Sequence, residues 1–333
     1  MTPDTTTLDY WLNWRFLLCL IWVLSSMLLA AYLIWRYEGS NSSKTEDVQT
    51  QQERRRSINA DEAWMPCVRG IHPGWLLAFR IFGFLMLLGM LITDVVVDGF
   101  GIFFFYTQWT FALVTIYFGL GSLLSFYGCC QYFIKADGDH VALDTERGTY
   151  VAPTYEENGN TCNIDQRKYT QLQHNRQYYV RQTAGNWGYV FQVIFQMNAG
   201  AVILTDCVFW FIIYPFLSTN DHSLSVLKIV THSANALFLI GDTVLNSLEF
   251  PWFRMAYFIL WTATFVIFQW VVHAFVSIEW PYPILELSSP YAPLWYLMVA
   301  LMHLPCYGFF YLLIKLKGYL VSRCLPHSYQ FLS

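Results

Sequence analysis

The chain has 333 residues, of which 56% are hydrophobic and 19% aromatic, while only 13% are charged. A soluble domain of this size would usually be about one quarter charged, so the composition excludes an ordinary soluble protein. The net charge of −4 says little by itself, and no phosphate-binding glycine loop or nucleic-acid signature accompanies it.

Seven apolar stretches follow one another along the chain, each near or above the roughly 20 residues that a membrane-spanning helix needs. They cover residues 16–35, 75–93, 102–133, 187–214, 224–248, 252–276 and 293–314. The third is too long for one straight span, so we expect its first residues to lie at the membrane interface. The sequence therefore predicts an all-α fold, a polytopic transmembrane bundle of seven helices.

The polar segments between these stretches divide the chain. The first stretch follows acidic residues rather than a basic cluster, so we interpret it as a retained anchor and not as a cleaved signal peptide. The predicted divisions are a tail and first anchor at 1–36, a disordered cytosolic loop at 37–74, a six-helix core at 75–317 with a long cytosolic loop at 134–186, and a cytosolic tail at 318–333.

Basic residues set the expected orientation. Sixteen of the 19 Lys and Arg fall on one side of the predicted topology, Arg15 falls on the other, and Arg80 and Lys228 lie within spans. Because cytosolic loops carry the excess of basic residues, we expect an exoplasmic or lumenal N-terminus and a cytosolic C-terminus. The endoplasmic reticulum and the plasma membrane both fit this topology.

The eight cysteines give no sign of a metal site. None are spaced C-x-x-C, and no Cys/His spacing is typical of zinc. Several lie inside apolar runs, where a thiol behaves as a small hydrophobe. We expect neither a metal nor a cofactor, and the expected partner is the lipid bilayer itself.

The fifth stretch carries a stripe of polar side chains. Its steps of three and four residues place them on one helix face: Ser225, Lys228, His232, Asn235, Asp242, Asn246 and Glu249. Ionisable groups cost at least ~2.5–3.5 kcal/mol each at the bilayer centre, so the stripe must face the bundle interior or a wet cavity. Both interpretations stay open: hydrogen bonds between helices, or a functional cavity.

Other polar residues within spans are candidates for the same cavity. Asp206 lies in the fourth stretch, and Gln269 and His273 lie in the sixth. Arg80 is close to the cytosolic end of the second stretch, where we expect it to extend its head group toward water.

The sequence FYTQWTF at 105–111 places Thr107 and Gln108 among aromatic residues at the start of the third span. The hydroxyl of a threonine in a membrane helix commonly bonds to a carbonyl one turn back in its own helix. At 1.5 Å per residue, however, Thr107 and His232 lie within roughly one helical turn of the same depth. A hydroxyl and an imidazole at one depth are the elements of a nucleophile–base pair.

Three motifs carry a resemblance to a known family. YTQWTFALVTIYFGLGS, THSANALFLIGDTVLNSLEFP and WPYPILE resemble, in order and spacing, the androgen-induced/rolling-stone family of multi-pass membrane proteins. The resemblance covers roughly residues 75–315, and the pattern formed by His232, Asn235 and Asp242 is closer to the rolling-stone branch and its plant relatives. The hydrolase-type members differ at the last of these positions, with a glutamate near the place of Asp242.

The resemblance implies a chemistry. Hydrolase-type members cleave fatty acid esters of hydroxy fatty acids with an essential threonine and histidine, which map onto Thr107 and His232. It implies that His232 takes the proton of Thr107. Asn235, one turn along the helix, is placed either to orient the substrate or to donate to the oxyanion. The rolling-stone branch is instead associated with cell fusion, so a non-catalytic protein that binds lipid or a partner, or a transporter, is the alternative. Under both hypotheses, the residues expected to bind the substrate or to line the polar cavity are Asn235, Asp242, Asn246, Asp206 and Lys228.

Overall fold

The computed structural model of the chain describes residues 4–39, 60–68, 70–147, 186–213 and 226–324. Most of these residues lie in helices, which confirms the all-α prediction. The seven long helices are α1 (Trp14–Ile34), α2 (Pro73–Asp98), α3 (Tyr106–Arg147), α4 (Asn186–Val208), α5 (Val226–Leu245), α6 (Met255–Phe275) and α7 (Ala292–Cys324).

Six of these helices are long and apolar enough to cross a membrane, and the chain is therefore an integral multi-pass membrane protein. The exception is α5, whose apolar part, Ile229–Leu245, is shorter than the other spans. The count of seven spans and the orientation of the two termini stay predictions.

The connection between α2 and α3 explains why the third apolar stretch is longer than one span. Gly99 ends α2 with φ 73°, a left-handed backbone conformation that glycine adopts without a Cβ clash. A short 3-10 helix, Phe100–Phe104, follows, and extended backbone at Phe105 leads into α3. The first residues of the stretch are thus separate from the spanning helix, as the sequence predicts.

Helix α4 lies at the centre of the bundle, in contact with α3, α5, α6 and α7. Small residues permit this close packing: a Cβ on Gly200 would stand 2.3 Å from the Phe258 ring of α6. Helix α1 packs outside this group, against α6 and α7, and α2 packs against α3 and α5.

Neighbouring helices alternate in direction, so the bundle has two ends. We call the end that holds the N-termini of α1, α3, α5 and α7 the outer end, and the opposite one the inner end. At the outer end, Arg15 at the start of α1 donates to the Ser288 carbonyl before α7. At the inner end, Arg254 before α6 donates to Glu38 after α1 over 2.7 Å. The first span is thus part of the bundle at both ends.

Part of the segment predicted to be a disordered loop is ordered. Residues 60–68 pack under the inner end, where Cys67 N–H donates to the Leu245 carbonyl over 2.9 Å and Ser247 donates to the Met65 carbonyl over 3.0 Å. The indole of Trp64 is buried, and a Cβ on Gly128 of α3 would overlap it. Apolar residues at 63–67 explain the error, since their burial favours an ordered conformation. Residues 40–59 lie outside the described part of the chain.

A buried ion pair joins α2 to α5. Arg80 Nε donates to Asp242 Oδ1 over 2.7 Å, and both side chains are fully buried. The expectation that Arg80 extends toward water is therefore wrong. Its guanidinium also donates to Ser125 of α3 over 2.7 Å, which connects a third helix to the pair.

The same carboxylate accepts two further hydrogen bonds. Tyr117 of α3 donates its hydroxyl to Asp242, and Asn246 donates its amide over 2.9 Å. These bonds and the guanidinium satisfy the carboxylate where lipid and water are both excluded. Asp242 and Asn246 therefore form an inner ion cluster with Arg80, Tyr117 and Ser125, and do not line a polar cavity as the sequence analysis predicts.

We expect the loss of one member of the ion pair to destabilise the fold. Arg80→Met or Asp242→Leu should each lower the free energy of unfolding by about 3–5 kcal/mol, because the remaining charge stays buried without its partner. The double variant should be more stable than either single variant. Thermal unfolding of the purified chain in detergent measures the effect.

The matched control is Arg323→Met, which removes an exposed arginine near the end of α7. It should leave the melting temperature within about 1–2 °C of the wild type. Additive losses in the double variant would show that the two side chains do not stabilise each other.

Candidate active site

A partly open cavity of about 430 Å³ lies at the outer end of the bundle, between the end of α2, the starts of α3 and α5, the turn after α4 and the connection before α7. Thr107 and His232, from α3 and α5, both line it. The remaining lining residues are Asp94, Asp98, Gly101, Ile102, Phe105, Gln108, Phe209, Thr231, Pro281, Tyr282 and Pro283. The structure therefore brings together the two residues that the depth argument placed at one level.

Thr107 is the second residue of α3, and its hydroxyl contacts another part of the chain. Its Oγ1 lies 3.3 Å from the hydroxyl oxygen of Tyr282, in the connection between α6 and α7. The neighbouring Gln108 donates its amide to Asp94 of α2 over 3.1 Å. Thr107 and Gln108 thus join the start of α3 to two other segments around the cavity.

Tyr282 is buried between two prolines, Pro281 and Pro283. Burial raises the pKa of its phenol above the ordinary value, while the hydrogen bond with Thr107 acts in the opposite direction. The phenol is therefore protonated at neutral pH and can donate a hydrogen bond. When it donates to Thr107 Oγ1, the Thr107 proton stays free for another acceptor.

His232 lies in the second turn of α5, with its ring almost completely buried. The ring stacks on Phe209, with centroids 3.7 Å apart and planes inclined by 14°. Its Nδ1 stands 3.8 Å from Asp206 Oδ1 of α4, longer than a hydrogen bond but within ion-pair distance. With Nδ1 turned toward the carboxylate, Nε2 is the nitrogen left to accept a proton.

Asp206, which the sequence analysis assigns to the polar cavity, faces the imidazole of His232. Nucleophile–base pairs commonly include a third group that orients the base, and Asp206 stands in that place relative to His232. Of the predicted site residues, Thr107 and His232 thus line one cavity at the outer end, and Asp206 faces His232 from α4.

Asn235 lies one helical turn below His232 and is fully buried. Among the described residues, none hydrogen-bonds either its amide nitrogen or its amide oxygen. An unpaired buried amide costs about 1–3 kcal/mol, so its presence calls for a ligand or solvent partner. For Lys228 the structure describes only the backbone, and Ser225 lies outside the described residues.

Two polar residues of α6 contact the connections that border the cavity. Gln269 donates its amide to the Phe104 carbonyl over 2.7 Å and so holds the turn that leads to Thr107. His273 bonds through Nδ1 to the Gln269 carbonyl over 2.8 Å and stacks on Trp280 at 3.7 Å. Both therefore position the two connections that surround the cavity.

Sequence reasoning missed Tyr282 and Phe209 as members of the site. Both lie in or beside connections that return over the cavity, and helical periodicity carries no information about such segments. The Pro281-Tyr282-Pro283 sequence is the one available signal, since flanking prolines restrict the backbone that carries the aromatic ring.

Searches against protein-family models, curated proteins and solved structures find no match to the chain. The site is therefore interpreted from its own geometry, and the resemblance to the androgen-induced/rolling-stone family remains an expectation.

The unpaired amide of Asn235 generates a stability prediction. Asn235→Leu keeps the branched shape and removes both polar atoms, so the free energy of unfolding should stay equal or rise by up to about 1–2 kcal/mol. Thermal unfolding in detergent measures this change.

Asn246→Leu is the matched control within the same helix. Its amide donates to Asp242 over 2.9 Å, and its carbonyl oxygen accepts from Leu248 N–H over 3.2 Å. This variant should be clearly destabilised. Equal losses in both variants would mean that the Asn235 amide has a protein partner after all.

Proposed function

We propose that the protein is an integral membrane hydrolase that cleaves fatty acid esters, with Thr107 as nucleophile and His232 as base. The observation that carries the proposal is the convergence of both side chains on one cavity, with Asp206 on the far side of the imidazole. The family resemblance of the motifs around Thr107 and His232 points to the same chemistry and belongs to this proposal.

The first half of the reaction forms an acyl-enzyme. His232 Nε2 takes the proton of Thr107 as Oγ1 attacks the ester carbonyl, and the carbonyl oxygen becomes an oxyanion. The imidazolium then gives its proton to the departing alcohol oxygen as the ester bond breaks. The acyl group is left on Thr107 Oγ1.

The second half releases the acid. His232 deprotonates a water molecule, whose oxygen attacks the acyl carbonyl, and the proton returns to Thr107 Oγ1 as the fatty acid leaves. Asp206 favours the charged imidazolium in both halves because its carboxylate faces Nδ1.

Tyr282 supplies the donor that the oxyanion needs. Its protonated hydroxyl is already 3.3 Å from Thr107 Oγ1, so a short shift brings it to an oxygen bonded to the attacked carbon. Asn235, with its amide free among the described residues, is a second donor one turn deeper.

The surroundings favour a lipid substrate over a water-soluble one. The cavity is partly open at the outer end of helices that cross the bilayer, and Ile102, Phe105 and Phe209 contribute apolar surface to it. An ester whose acyl chain remains among the helices can therefore present its carbonyl to Thr107 without leaving the membrane.

A non-catalytic lipid-binding protein is the second candidate. The observation in its favour is that the partner of each side chain is a third residue: Thr107 hydrogen-bonds to Tyr282, and His232 faces Asp206. Transport through the polar stripe is less favoured, because Asp242 and Asn246 belong to the inner ion cluster.

Covalent labelling separates the two candidates. An uncharged alkyl fluorophosphonate should label the purified full-length chain, and Thr107→Ala should abolish the labelling. His232→Ala should slow it by about 10²–10⁴-fold, because proton transfer to a placed base contributes that much. In-gel fluorescence of an alkyne-tagged probe measures the rate.

Thr264→Ala is the control, since Thr264 lies on the exposed side of α6 and donates to the Leu260 carbonyl of its own helix over 2.8 Å. It should be labelled at the wild-type rate. Undiminished labelling of the Thr107 and His232 variants, with folding verified by thermal unfolding, would reject the hydrolase and leave the binding protein.

A further inference from the structure

A second cavity, of about 340 Å³, lies between α1, α6 and α7, within the part of the bundle that crosses the membrane. Its wall is almost wholly apolar, and among the described residues that line it none is Asp, Glu, Lys or Arg. The polar side chains of the wall are Ser25, Ser26, Thr262, Tyr296 and His303.

The geometry fixes the proton positions on His303. Its Nδ1 lies 2.8 Å from the Val299 carbonyl oxygen, which can only accept a hydrogen bond. Nδ1 therefore carries the proton, and Nε2 of the neutral ring is an acceptor. The ring is held in place by Phe258, whose centroid is 4.3 Å away.

The hydroxyl of Thr262 occupies this acceptor. Its Oγ1 lies 3.0 Å from His303 Nε2 and donates to it. Tyr106 of α3, whose hydroxyl is 2.9 Å from the same oxygen, then donates to Thr262. The result is a chain of three groups, in which Tyr106 donates to Thr262 and Thr262 donates to His303.

Thr262 has a second acceptor within reach, and this makes the arrangement suitable for a ligand. The Phe258 carbonyl, one turn back in α6, lies 3.2 Å from Thr262 Oγ1. A ligand hydroxyl that donates to the single lone pair of His303 Nε2 has to displace the Thr262 hydroxyl from it, and the Phe258 carbonyl then remains as the acceptor for the Thr262 proton.

The hydroxyl groups of Ser25, Ser26 and Tyr296 have no free proton to donate to a ligand carbonyl, because each already donates to a backbone carbonyl. Ser25 and Ser26 donate to the Trp22 carbonyl over 3.0 and 2.8 Å, and Tyr296 donates to the Leu285 carbonyl over 3.1 Å. An ester or ketone would take the proton of one of these hydroxyls and supply no donor in its place, whereas an alcohol supplies a new donor for the Thr262 hydroxyl that it displaces from His303.

We propose that the α1–α6–α7 cavity is a binding site for an uncharged lipid alcohol. The hydroxyl of the ligand donates to Nε2 of His303, and its hydrocarbon body lies against the apolar wall formed by the three helices. The volume falls at the lower end of the ~300–1,000 Å³ typical of small-molecule sites. The site is separate from the outer cavity, and its occupancy does not depend on hydrolysis at Thr107.

Competition against photoreactive lipids tests the proposal with the full-length chain in nanodiscs. The two probes are a sterol and a C16 fatty alcohol, each with a free hydroxyl, a diazirine in its hydrocarbon body and an alkyne handle. The competitors are the parent sterol, the parent fatty alcohol and the methyl ether of each. Each alcohol should compete about tenfold more strongly than its ether, which has the same body but no donor.

The variant His303→Phe keeps a ring at the position and removes the acceptor. It should bind the alcohols about tenfold more weakly and lose the difference between alcohol and ether. Thr264→Val, two residues along α6 from Thr262 and on its exposed side, should keep the wild-type difference. Labelling by the fluorophosphonate should be unchanged in His303→Phe, which separates this site from the hydrolase proposal.

Competition by the sterol alone would identify a ring-bearing ligand, and competition by the fatty alcohol alone a single-chain ligand. Both results support the proposal. Equal competition by alcohol and ether in the wild-type chain would overturn it, and this comparison does not require the variant to fold. Photolabelling that no competitor reduces would overturn it as well.

Discussion

A polar side chain that enters an apolar bundle needs a partner inside the protein, because lipid chains offer no hydrogen bonds. The ion pair of Arg80 and Asp242 meets this constraint at the inner half of the bundle. Tyr117, Ser125 and Asn246 complete it, so that α2, α3 and α5 are joined through fully buried groups. This cluster fixes how α5 is rotated about its own axis, and the direction of its other polar side chains follows.

The outer half of the same stripe has a different environment. His232 lies on the same helix face as Asp242, so a rotation of α5 set by the ion pair also turns His232 toward α4 and the start of α3. There it meets the Asp206 carboxylate and the Phe209 ring instead of a guanidinium. One periodic pattern thus gives two environments: a neutralised ion pair at the inner end, and an imidazole beside a cavity at the outer end.

The sequence predicts the helices well because each is a long apolar run bounded by polar residues, glycine or proline. It also predicts that Thr107 and His232 lie at one depth, since helical rise converts residue number into distance. It does not predict partners between helices: nothing in the periodicity of α2 shows that Arg80 meets Asp242 rather than water. Nor does it predict Tyr282, which reaches the cavity through an irregular connection, or the bond between Thr262 and His303, which depends on how α6 and α7 are rotated.

Each of the two cavities contains a threonine and a histidine, Thr107 with His232 in one and Thr262 with His303 in the other. Locating the threonine that reacts is therefore the most direct test of the proposed function. In the proposed hydrolase, the reactive hydroxyl is the one at the outer end. Mass spectrometry of the chain after fluorophosphonate treatment locates the bond that forms. We expect the adduct on the peptide that contains Thr107. An adduct on Thr262, beside His303, would contradict the claim, and so would the absence of any adduct on a chain whose folding is verified.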